Sequence, residues 1–174
     1  IIDPGTKKSS RQLLAVRDAV LQATSLHLCA PCLQSGPCPL GAKDNEWCHE
    51  KMFWKPPGMV KAVDAVLPFT KERGIKYSYL TFTRQSLSRL SLYTDCAPET
   101  VWRVVSYLIR NRGEERLHVC NGCRRVLLRR LLKNASDSNA DFSSAQRGDI
   151  ICLDKHGQRD QFLDICQDSI FRIL

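Results

Sequence analysis

The sequence predicts an α/β protein built around a cysteine-rich loop. Residues 1–28 read as strand, turn, helix and strand, which is the grammar of an α/β sheet. Cys29, Cys32, Cys38 and Cys48 crowd the Pro- and Gly-rich stretch HLCAPCLQSGPCPLGAKDNEWCHE, which is poor core material and good material for wrapping a metal. KYSYLTFT at 76–83 alternates aromatic and β-branched residues, as a strand does. A chain of 174 residues that is 43% hydrophobic suits one or two small globular domains. No apolar run is long enough to span a membrane.

Ile1 and Ile2 end a buried strand, and Asp3-Pro4-Gly5-Thr6 breaks it. Ser9 or Ser10 N-caps a helix through about Gln22, with Leu13, Leu14, Val16, Val20 and Leu21 on its apolar side. Leu26-His27-Leu28 is a short strand entering the cysteine loop, which Pro31, Gly36, Pro37, Pro39 and Gly41 keep irregular. Residues 59–67 form a short helix stopped by Pro68. In the strand at 76–83, Tyr77 and Tyr79 share one face and Phe82 takes the other; they are core side chains first and RNA-stacking platforms second.

Pro98 opens a helix carrying Val101, Trp102, Val105, Leu108 and Ile109, with strand as the alternative for so β-branched a run. His118–Cys120 and Val126–Leu128 are the arms of a hairpin turning at Asn121-Gly122. Residues 134–146 are a polar surface loop, Asp149–Leu153 a strand, Lys155–Gln158 a turn, and 160–172 a terminal helix.

The net charge of +8 is unevenly spread. Residues 103–133 carry +7, whereas 134–174 carry −3. An Arg-rich stripe of this kind points to a polyanion, and Arg124, Arg125, Arg129, Arg130 and Lys133 are the candidate RNA contacts.

Nine cysteines, an odd number, with no secretory signal in view favour metal binding in a reducing compartment over a disulfide scaffold. Cys32-x5-Cys38-x9-Cys48 offers three thiolates, and Cys120 or Cys123 in HVCNGC supplies a fourth. The spacing alone leaves two readings: an iron–sulfur cluster, or a zinc site on Cys29, Cys32, Cys120 and Cys123. His27, His49 and His118 flank cysteines and are neighbours before they are ligands. Cys96, Cys152 and Cys166 sit among apolar residues as small core hydrophobes. No phosphate-cradling glycine loop, nucleophile elbow or HExxH pair is present, so no catalytic residue is assigned.

Several segments, in order, resemble the methyltransferase-like assembly factors of the mitochondrial small ribosomal subunit and their bacterial relatives. IIDPGT with RQLLAVRDAVL resembles that family's Pro-Gly-Thr turn and following helix. HLCAPCLQSGPCPL, EWCHE and LHVCNG resemble its cysteine motifs, KYSYLTFTR its Lys-Phe-Ser-Tyr strand, and Arg147-Gly148-Asp149 its Trp-Gly-Asp.

The resemblance implies a 4Fe–4S cluster on Cys32, Cys38, Cys48 and Cys120, with zinc as the alternative. It departs where Leu33-Gln34 follow Cys32, where Cys120 and Gly122 lie closer than usual, and where Arg147 replaces Trp. It further implies the carboxy-terminal half of a Rossmann-like methyltransferase sheet (1–28), a cysteine-rich insertion (29–58), remaining strands and a basic RNA-facing segment (59–133), and a β-rich extension (134–174). The S-adenosylmethionine-binding half is expected upstream of Ile1 or in a separate chain, so binding of that cofactor by this chain alone is not expected, and any enzymatic activity needs that completion. The partners implied are small-subunit ribosomal RNA and ribosomal proteins, with no membrane, in the mitochondrial matrix.

Overall fold

The computed structural model describes residues 1–67, 74–86, 89–159 and 162–174. Strand β1 (Ile2–Pro4) leads into helix α1 (Lys7–Ala23), and β2 (His27–Ala30) follows. The cap is Thr6 and not Ser9 or Ser10, so the helix starts at least three residues earlier than expected: Thr6 Oγ1 accepts from Ser9 N–H at 3.1 Å. After the cysteine loop come β3 (Glu50–Phe53), which the sequence did not signal, and α2 (Gly58–Val66), close to the expected helix at 59–67; Pro68, its expected stop, lies outside the described residues.

The strand expected at 76–83 is two strands, β4 (Gly74–Tyr79) and β5 (Thr81–Thr83), broken at Leu80. They serve different sheets. β4 lies between β1 and β3, and β5 pairs with β2. Tyr77 and Tyr79 do share a face, with ring centroids 5.9 Å apart. Every pairing in these two sheets is antiparallel. The chain is therefore mixed α/β, but the parallel pairing of a Rossmann-like sheet does not occur among the described residues of these two sheets. Leu13 of α1, Leu28 and Leu80 bury against one another, with Cys32 and Phe82 packed alongside.

The rest of the chain is a barrel. Its strands are β6 (Val101–Val104), β7 (Ile109–Asn111), β8 (Glu114–Cys120), β9 (Arg125–Leu131), β10 (Ile150–Arg159) and β11 (Phe162–Ile173). β6 pairs with both β10 and β8, which closes the order β6-β8-β9-β11-β10 into a five-stranded ring, with β7 added at the edge of β8. β9 and β11 run parallel and all other neighbours antiparallel. First strand against second and fourth, third parallel to fifth: this is the connectivity of the oligonucleotide/oligosaccharide-binding barrel.

Two helices expected from the sequence are strands here. Val101–Val104 are all buried, and Pro98 starts only a single tight turn, Pro98–Thr100. At the carboxy-terminal end, Leu163 and Ile165 are buried while Phe162, Asp164 and Cys166 are less so. That period of two belongs to a strand, and the parallel partner β9 supplies hydrogen bonds that a helix would have made within itself. The expected turn at 155–158 is part of β10, with a register irregularity between Asp154 and His156. The Asn121-Gly122 hairpin is present, and its arms run longer than expected.

The barrel core comprises Trp102, Val104, Leu117, Val119, Leu128, Phe142, Ile151, Leu153, Ile165 and Phe171 among others. Phe142 comes from the tight turns Asp137–Ser143 and meets Phe171 edge-on, with centroids 5.1 Å apart. A second small core joins Leu33 of the cysteine loop to Cys96, Val101, Ile150 and Cys152. No helix among the described residues is long and apolar enough to cross a membrane.

Candidate metal centre

An irregular loop leaves backbone carbonyls without ladder partners, and they must find other donors. Here α1 and the barrel supply them. Arg11 Nη1 donates to Leu40 O (2.7 Å) and Gly41 O (3.1 Å), and its Nη2 to Lys43 O and to Glu46 O. Arg17 Nη2 donates to Gly36 O at 2.5 Å. Ser10 Oγ and Ser78 Oγ both donate to Cys48 O, at 2.7 and 2.8 Å. From the barrel side Arg147 Nη1 reaches His49 O at 2.6 Å, Arg103 pairs with Glu50, and Arg125 pairs with Glu46. The loop is thus clasped between α1 and the outer face of the barrel.

The clasp borders a cavity of about 90 Å³, lined by Cys32, Cys38, Cys48 and Cys120 and by neither Cys29 nor Cys123. Cys120 comes from the end of β8 and the other three from the loop. Cys123 is exposed, donating from Sγ to Gln34 Oε1 at 3.3 Å. His49 also lines the cavity; His118 lines a neighbouring cleft. Among the described residues, no three Cys, His, Asp or Glu side chains gather closely enough to grip one metal ion. The four thiols stand around a space instead.

Burial pushes the Cys32 thiol up to about 12, aided by Cys48, opposed by Arg17, and raised further by Cys38 and Cys120. Burial likewise raises Cys120 to about 11, against a hydrogen bond from Gly122 N–H to its Sγ at 3.4 Å. Cys48 is raised by burial too, opposed by the charge and hydrogen bond of Arg103. Arg17, Arg103, Arg125 and Arg147 all border the cavity. The Nε atoms of Arg17 and Arg147 are buried there without a hydrogen-bond partner. Glu46 and Glu50, which also line the cavity, pair with Arg125 and Arg103, and four soft donors beside the remaining positive charge suit an anionic thiolate-ligated group.

The family model for the mitochondrial small ribosomal subunit Rsm22 matches residues 1–149. The chain belongs to the Rsm22 family. That match runs from β1 through the cavity to β9 and stops before β10 and β11, and it places the chain at the mitochondrial ribosome's small subunit, as a component or assembly factor. No curated protein matches the chain.

The five basic residues of this Rsm22-family chain singled out from sequence have different fates. Arg130 is buried inside the barrel, bonded to Glu115 Oε2 at 2.5 Å and to Asn139 O at 2.6 Å. It is therefore a core residue and not a phosphate contact. Arg129 makes a two-pronged pair with Asp164, at 2.8 and 3.0 Å. Arg125 is paired to Glu46. Arg124 and Lys133 stay exposed. A period-two strand puts alternate residues inside, so the run Arg129-Arg130 divides between the two faces. Arg17, Arg103 and Arg147 were not singled out as site residues: isolated arginines on a helix, a strand and a loop carry no local signal of a shared cavity.

Proposed function

We propose that this chain binds ribosomal RNA in the mitochondrial small subunit, and that a 4Fe–4S cluster on Cys32, Cys38, Cys48 and Cys120 joins its cysteine loop to its barrel. The observation that carries the reading is one cavity: four thiols from segments about ninety residues apart at most border it, beside the buried, unpartnered Nε atoms of Arg17 and Arg147. Zinc needs its four ligands in one tight tetrahedron, with metal–sulfur bonds of about 2.3 Å. Four thiols bordering one cavity, three from the loop and one from β8, suit the larger cluster.

When bound, such a cluster supplies a covalent cross-link between distant segments, and its binding energy is folding energy. The protein does the remainder. Arg17, Arg103 and Arg147 offset negative charge at the cavity, and the buried Leu33 gives it an apolar wall. The barrel topology, by analogy with other barrels of that connectivity, favours RNA as the partner. Arg124 and Lys133 offer the phosphate contacts.

The test is iron and acid-labile sulfide content of protein purified without air, followed by RNA binding at rising salt. Iron matched by sulfide, with affinity falling steeply as salt rises, is the expected result. Zinc without sulfide overturns the cluster and leaves RNA binding standing; absence of RNA binding overturns the other half.

A further inference from the structure

A second concavity, of about 620 Å³, opens beside the cysteine cavity. One wall is the cysteine loop, through Lys43 and Glu46; the other is the outer face of the barrel, through His118, Leu127, Phe162 and Gln158. We propose that this cleft holds an unpaired nucleotide of a single-stranded RNA segment, with its base on the His118–Leu127–Phe162 row and its phosphate at Arg124 and Lys43. The proposal rests on the RNA-binding reading above and names the form of RNA and the residues that take it.

The floor follows from the strand register. His118 of β8 stands opposite Leu127 of β9, and Leu127 stands opposite Phe162 of β11. Three neighbouring strands thus present an imidazole, an isobutyl group and a phenyl ring in one line across the outer face. That is a flat, partly aromatic strip, the kind of surface on which bases stack regardless of sequence. The Phe162 ring is held in place: the Arg129 guanidinium lies 5.6 Å from its centroid and is itself fixed by Asp164.

The rim is cationic. Lys43, Arg124 and Arg125 border the cleft against one carboxylate, Glu46. Glu46 pairs with Lys43 at 3.5 Å and with Arg125, so it spends its charge on those two. Arg124 is exposed and has no carboxylate partner among the described residues. Gln158 adds an amide that both donates and accepts, suited to a base edge.

Size and shape select the occupant. The volume falls in the range of small-ligand sites, roughly 300–1,000 Å³, which admits a nucleotide and excludes a helix. Duplex RNA keeps its base faces stacked internally and shows proteins its backbone and shallow groove, so it has nothing to lay on this floor. Because Lys43 and Glu46 belong to the cysteine loop, one wall of the cleft exists only while that loop is folded against β8.

The experiment measures binding of a labelled single-stranded RNA of about ten nucleotides, and of its duplex, to the iron-loaded chain. The expected result is preference for the single strand, a loss of about tenfold or more on Phe162→Ala with recovery in Phe162→Tyr, and a smaller loss with a shallower salt dependence on Lys43→Ala plus Arg124→Ala. Iron content and circular dichroism of Phe162→Ala matching the parent show that the barrel is intact. If the parent binds RNA and a folded Phe162→Ala binds it within about twofold, the cleft is not the site while the RNA reading survives. Equal binding of duplex also overturns the cleft. If the parent binds no RNA, the reading above has failed and the cleft falls with it.

Discussion

Arg130 and Glu115 stand opposite each other on β9 and β8, and their side chains meet inside the barrel with Nη2 2.5 Å from Oε2. The guanidinium also caps the Phe142 ring, 5.0 Å from its centroid, and bonds to Ser143. Removing one partner of a buried pair strands the other charge, at a cost of about 3–5 kcal/mol. Arg130→Ala is therefore expected to destabilise the barrel by that order, whereas Arg124→Ala stays within about 0.5 kcal/mol. Urea unfolding of the two variants checks the contrast. Equal stabilities would mean that Arg130 is not the internal strut described.

The same pair sets an acid limit. Burial raises the Glu115 carboxyl, but hydrogen bonds from Arg130, Arg110 and Ser143 outweigh it and hold the group below the ordinary glutamate range. A carboxyl lowered in the fold contributes stability that is complete above its unfolded value, about 4.3, and is lost as pH falls through the folded value. Thermal melts between pH 7 and pH 3 are expected to be flat near neutrality and to drop below about 4.3. Glu115→Gln, although less stable at pH 7, is expected to drop less steeply. An identical slope in the variant would assign the acid loss to other carboxyls.

The hairpin at Asn121-Gly122 was legible because that dipeptide carries its own backbone preference, and the cysteine loop because prolines and glycines exclude regular structure. The strands β6 and β11 were not. Val101-Trp102-Arg103-Val104 and Phe162-Leu163-Asp164-Ile165 each fit a helix or a strand over so short a window, and only the distant partners β10 and β9 decide. The fate of the arginines was hidden for the same reason. Nothing local says that Arg130 faces a barrel interior, or that Arg17, Arg103 and Arg147, spread over the chain, border one cavity. The three loop thiols were legible as a motif; that Cys120 lines their cavity and Cys123 does not depends on Cys120 ending β8 while Cys123 lies in the exposed turn beyond it.

Gly122 ties the hairpin to the cysteine loop. Its φ is +97°, and a Cβ there would stand 2.9 Å from both the backbone N and the Cβ of Gln34. Gly113 has a similar φ of +84° but open space around it. A left-handed backbone costs an L-residue about 1–2 kcal/mol wherever it occurs, so Gly113→Ala isolates that cost. Gly122→Ala adds the collision with Gln34 and is expected to be the more destabilising of the two. It is also expected to lower iron per chain, since it pushes the turn carrying Cys120 away from the loop. Unfolding midpoints and iron content of the two alanine variants check this. Equal effects would mean that the turn does not press on the loop.

Cys120 and Cys123 are three residues apart and offer a sharp test of the proposed ligand set. Cys120 borders the cavity, with the Gly122 N–H pointing at its sulfur from 3.4 Å. Cys123 is exposed and engaged with Gln34 across the turn. Cys120→Ser is expected to lose most of the iron and sulfide, and with them the order of the loop, because the remaining three thiols all lie on one segment and can no longer hold it to β8. Cys123→Ser is expected to keep a parent-like iron content and to lose only a surface hydrogen bond. Anaerobic iron and sulfide assays, paired with proteolysis between residues 33 and 47, separate the two. If Cys123→Ser empties the site and Cys120→Ser does not, the hairpin rotates on binding and the cavity seen here is lined by the wrong thiol.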